Sequence, residues 1–214
     1  MKRVESLGIS CELGLIQRHC RAEPLGLYRF SRTPLPGLID ALNARFDGID
    51  DPAELEFTLF GHLDEWVTNH RRYGFGAHTS HLAAKTSEEE IRKHICVHYR
   101  FLARKLTEDL QKGDSVFVYR PEAPMPAGED TYRLLEAMRK FGPSVLMWMD
   151  VPAQPEKIGT VEWTIPGRLM TGYIDRFTTP RWAAGASFEV WLQVIAAAVK
   201  LKDEMRVKCA AASD

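Results

Sequence analysis

The sequence has few cysteines, no long apolar run and no excess of charge of either sign, and each shortage removes a class of protein. The four cysteines, Cys11, Cys20, Cys96 and Cys209, are scattered and form no CxxC pair. That pattern argues against a disulfide framework or a zinc ribbon. No segment approaches the roughly 20 apolar residues needed to span a bilayer, and the start MKRVESLGIS has no apolar core of a signal peptide. The expectation is a cytoplasmic protein with no membrane partner. Lys and Arg number 28 against 29 Asp and Glu, a formal net charge of −1, so there is no large field to gather nucleic acid. GxGxxG, GxxxxGKS/T and GxSxG are all absent, which weakens dinucleotide, P-loop and serine-hydrolase readings. No cofactor is expected, and no internal repeat or low-complexity tract is present.

What is there fits one globular core: 214 residues, 45% hydrophobic and 27% charged. We read a single α/β domain over residues 1–206, with a frayed tail at 207–214. Residues 3–7 form a short strand broken by Gly8, and Leu13, Ile16 and Cys20 follow at helical spacing. The Pro-containing stretch 23–36 reads as a packed loop, and Leu38, Leu42 and Phe46 mark a second, shorter helix. Residues 47–86 show no clear period.

From Ser87 the pattern sharpens. Ser87 and Glu90 make a capping-box signature, and Ile91, Ile95, His98, Leu102, Leu106 and Leu110 fall on one face of a long helix ended by Gly113. SVFVYR at 115–120, an amphipathic helix with Leu134, Leu135 and Met138, and SVLMWMDV at 144–151 complete an αβαβ succession. Apolar strands alternating with helices predict a three-layer α/β fold, mainly parallel, with helices on both faces of the sheet. VEWTI and LMTGYID add two strands. Ser187 opens a last helix whose buried face is expected to carry Phe188, Trp191, Leu192, Ile195 and Val199.

Cys11 falls where the first strand turns into a helix. A helix N-terminus favours a thiolate and offers unpaired N–H groups to an oxyanion, although cysteine is also a common packed core residue. A cysteine nucleophile needs a base, and seven histidines compete. His78 follows the glycine and aromatic patch YGFGA, with His81 as the close alternative. Asp150 and Asp175 each close a strand run, where open α/β sheets face their ligand crevice, and either could orient a base. His94 and His98 have a metal-compatible spacing but lack the glutamate of HExxH, so no metal site is expected.

The run SLGISCELGLIQRHCRAEPLGLYRF, residues 6–30, resembles the opening of a bacterial family catalogued as papain-like cysteine peptidases, a domain of unknown function with a short SLGxxC signature. The signature falls on Cys11. YGFGAHTSH at 73–81 is similar to the family's second block and places His78 on its histidine, and the helix leading into VFVYR up to Arg120 is shared in outline. A narrower subgroup, found beside polysaccharide genes in proteobacteria, is similar over CELGLIQR, AEPLGLYRF and GYIDRF, the last containing Asp175. The resemblance implies a papain-like α+β fold as the alternative, a helix packed on an antiparallel sheet.

Three functions follow. The first is a cysteine-dependent hydrolase or acyltransferase with Cys11 as nucleophile, His78 as base and Asp175 orienting it, acting on a peptide, acyl or glycan substrate. The second is a glycan-related protein that binds or transfers a sugar, with Glu12, Arg18 and aromatic residues lining a cleft. The third is a non-catalytic partner-binding domain. The oligomeric state is left open.

Overall fold

The computed structural model describes residues 1–178, 185 and 187–211. The first strand, β1 (Val4–Ser6), leads through Gly8 into α1 (Glu12–His19). After β2 (Ser31–Arg32) and α2 (Leu35–Asn43) come β3 (Leu55–Phe60), β4 (Glu65–His70) and β5 (Gly76–Leu82). The second half runs α3 (Glu88–Lys112), β6 (Val116–Tyr119), α4 (Glu129–Arg139), β7 (Val145–Asp150), β8 (Val161–Ile165), β9 (Leu169–Tyr173) and α5 (Phe188–Ala211).

A five-stranded sheet in the order β1-β6-β7-β9-β8 is parallel except for the edge strand β8, which pairs antiparallel with β9. All but the edge strand β8 are buried on both sides. Alternate residues Phe117, Tyr119, Leu146 and Trp148 join Leu38 of α2, Leu106 of α3 and Leu134 of α4 in one core. Their neighbours Val116, Val118, Met147 and Met149 meet Leu13 and Ile16 of α1 and Trp191 and Val194 of α5 in the other. The period of two places helices on both faces, which is the predicted three-layer α/β arrangement. Each large apolar side chain so buried contributes about 1.5–3 kcal/mol.

Residues 47–86, which show no sequence period, build most of a second sheet. It is antiparallel, in the order β2-β5-β4-β3. Strands β3 and β5 are half-exposed along their length, so neither clean alternation nor a continuous apolar run marks them. An antiparallel sheet therefore occurs here beside the parallel one.

The long helix α3 ties the two sheets together. Ser87 and Glu90 form the predicted capping box, and Gly113 closes the helix at φ 64°. Near its N-terminus Arg92 donates to the carbonyl of Leu55 on β3, and the Tyr99 hydroxyl lies 2.6 Å from that of Thr68 on β4. At the other end the Leu110 carbonyl accepts from Ser144 at 2.8 Å, just before β7. Tyr99, not His98, completes the buried stripe, and His98 lines a small cavity.

In α5 the buried apolar positions among the described residues are Trp191, Val194, Ile195 and Ala198, with Lys202 buried further along. Leu192 lies off that stripe and is 37% exposed, because one residue's rotation carries it about 100° around the helix. The helix continues past Arg206 to Ala211, and residues 212–214 of the expected tail lie outside the described residues.

Candidate active site

The turn before α1 is built from two left-handed residues, Gly8 at φ 100° and Ile9 at φ 74°. Glycine tolerates this, and a Cβ at Gly8 would meet the Thr33 hydroxyl at 2.4 Å. Ile9 has no such freedom. A β-branched residue in this region is a backbone outlier, and here it stands two residues before the cysteine.

Cys11 is the N-cap of α1 and makes no side-chain cap bond. The capping role passes to Ser10, whose hydroxyl accepts from the Glu12 amide at 3.3 Å. Gly14 lets α1 lie against the 29–30 segment, since a Cβ there would stand 2.6 Å from the Phe30 ring. Beneath the turn, Glu12 and Arg120 form an ion pair of 2.6 Å with side chains 1% and 6% exposed. Arg120 also donates to Ser10 and to the Thr178 carbonyl, and its guanidinium stacks over Phe177. One buried cation thus fixes the Cys11 turn, the end of β6 and the chain after β9.

His78 lies on β5 opposite Val67 of β4. The β4–β5 register shifts between Glu65 and Val67, and this bulge sets Glu65 where its carboxylate can reach His78. The His78 Nδ1 to Glu65 Oε2 distance is 3.1 Å, and the other carboxylate oxygen accepts from the Ser80 amide at 2.9 Å. An ionised carboxylate only accepts, so Nδ1 carries the hydrogen and Nε2 is left basic. Phe60 meets the imidazole edge-on, with ring centres 5.3 Å apart.

Cys11 and His78 line one cavity of about 440 Å³, together with Ile9, Phe30, Arg32 and Asn69. Burial pushes the Cys11 thiol above the ordinary thiol range, and the negative charge of Glu65 adds to this. The expected dipole-favoured thiolate is therefore outweighed by desolvation, and the resting group is the thiol. A larger cavity, about 550 Å³, opens on the far side of β1 between Glu5, Gln17, Arg29 and Lys105, and no cysteine or histidine lines it.

The remaining sequence candidates lie elsewhere. Asp175 accepts from Ser187 at 2.6 Å and pairs with Arg176 at 3.0 Å, tying the end of β9 to the start of α5, so the carboxylate on His78 is Glu65 and not Asp175. Asp150 accepts from the amide of Val151. The His81 ring lies 5.0 Å from that of His94, which stacks on His98 at 5.9 Å. Among the described residues no group of three potential ligands is arranged to hold a metal ion. Glu12 is fully buried on Arg120, and Arg18 pairs with Glu23 and lies over the Phe30 ring, so the two do not share an open cleft.

Glu65 was not visible in the sequence, because it precedes Trp66 in the unpatterned stretch and owes its position to a bulge. Cys11, Cys20 and Cys96 are free thiols. No helix among the described residues is long and apolar enough to cross a membrane. Comparison with protein-family models, curated proteins and solved structures finds no match.

Proposed function

We propose that the chain is a cysteine-dependent acyl-transfer enzyme, a hydrolase or acyltransferase, with Cys11 as nucleophile, His78 as base and Glu65 as the residue that positions His78. The observation that carries this reading is the His78–Glu65 bond at 3.1 Å beside a cavity that Cys11 also lines. Because the resting thiol is protonated, attack and proton removal occur together: Sγ bonds the acyl carbon as its proton passes to Nε2 of His78. The N-terminus of α1, whose first-turn amides lack intrahelical partners, supplies positive potential for the oxygen that becomes negative.

The test is acetylation by p-nitrophenyl acetate, followed by peptide mapping. A burst of p-nitrophenol with an acetyl group on Cys11, lost in Cys11→Ala and slowed in His78→Ala, is the expected result. Absence of the Cys11 adduct, or an unchanged burst in Cys11→Ala, overturns the reading.

A further inference from the structure

The cavity beside Cys11 is walled mainly by carbon. Ile9, Phe30, Phe60, Val67 and Ala77 line it, and among the described residues no carboxylate does. Two of its hydroxyls are already committed to the fold: Ser10 to Glu12 and Arg120, and Ser31 to the Tyr28 carbonyl and Thr33. Beyond Cys11 and His78, the polar side chains left to a ligand are Arg32, Asn69 and Thr178, whose buried hydroxyl has no partner. A ligand rich in hydroxyls or amides would bury more polar groups than these can pair, at a cost of about 1–3 kcal/mol each.

One wall of the cavity reaches the protein surface. Phe60, at the end of β3, is 60% exposed and is also a wall of the cavity. A single exposed apolar side chain is ordinary, but one that also walls a cavity can meet what the cavity holds.

We infer that the acyl group transferred through Cys11 is an aliphatic chain, delivered as an ester or thioester, with its methylenes along Ile9, Phe30, Phe60 and Val67. This rests on the Cys11–His78–Glu65 reading and adds the substrate class. At roughly 30 Å³ per water-sized group, a cavity of about 440 Å³ accommodates an octanoyl chain with room to spare. In the reaction Sγ bonds the acyl carbon, its proton moves to His78, and the bond from the acyl carbon to the leaving oxygen or sulfur breaks. The leaving group takes the proton from His78. Water then attacks the acyl-cysteine by the same route, giving the carboxylic acid and the free thiol.

The experiment compares p-nitrophenyl acetate, butyrate and octanoate with the p-nitrophenyl ester of N-acetylglycine, reading kcat/KM and the adduct on Cys11. Each buried methylene should raise kcat/KM by up to about fourfold, and the octanoate-to-acetate ratio should fall by about tenfold or more in Val67→Trp. Because a tryptophan at β4 can disturb folding, Phe60→Ser at the exposed end of β3 is measured beside it and should lower the same ratio. If acetyl reaches Cys11 but the rate is flat or falls with chain length, or the glycine ester is preferred, the aliphatic class is overturned and the nucleophile reading stands. If no ester modifies Cys11, both are overturned.

Discussion

Arg120 and Glu12 lie 2.6 Å apart with almost no exposure of either side chain, directly beneath the turn that carries Cys11. Removing one partner leaves the other buried and uncompensated. Arg120→Met is expected to destabilise the fold by about 3–5 kcal/mol, whereas the double variant Glu12→Leu/Arg120→Met should recover most of that loss. Urea unfolding of the three proteins checks this, and equal losses in single and double variants would contradict it.

Glu65 acts on the site in two opposed ways, and one substitution separates them. In Glu65→Gln the amide no longer holds His78 in the tautomer with basic Nε2, so turnover of an activated ester should fall on the order of 10- to 100-fold. The same change removes a negative charge that raises the Cys11 pKa, so alkylation of Cys11 by iodoacetamide should become faster at pH 8. A merely structural role would not move these two readouts in opposite directions.

Stability should depend on pH through Glu5, which is 8% exposed and pushed up to about 7, chiefly by desolvation. The folded state holds this proton more tightly than the unfolded chain does. The contribution is therefore complete below the unfolded value near 4.5 and is lost as pH rises through about 7. The wild type should lose up to about 3 kcal/mol between pH 4.5 and 8 from this group alone, and Glu5→Gln should flatten the profile. Denaturation at fixed temperature across that range is the measurement.

Two glycines with positive φ should respond differently to alanine. At Gly61, φ 73°, a Cβ meets nothing within 4 Å, so Gly61→Ala costs only backbone strain, about 1 kcal/mol. At Gly8, φ 100°, the added carbon also meets Thr33 at 2.4 Å, and about 3 kcal/mol or more should be lost. Similar melting temperatures for the two variants would show that the turn before Cys11 relaxes freely.

The parallel half of the molecule was legible in the sequence because its signals are local. Ser87 and Glu90 announce α3, and the β-rich runs at 116–119 and 145–150 are fully or nearly fully buried. The antiparallel sheet was not legible, since Thr58 and Phe60 of β3 face solvent as openly as Glu56 does, and hydrophobic alternation needs one dry face. Cys11 and His78 stood out by residue type and neighbouring glycines. Glu65 did not, because a bulge is a property of strand pairing that no single strand records.

The antiparallel sheet carries His78 and the turn after β1 carries Cys11, and α3 is pinned to both sheets. The reach between Cys11 and His78 is therefore set by how two layers dock, with no short stretch of chain to hold it. Strands β3 to β5 bury less of themselves than β6 and β7, so they should open first on warming. Turnover should consequently vanish several degrees before the parallel core melts, making activity a thermometer for the weaker of the two sheets.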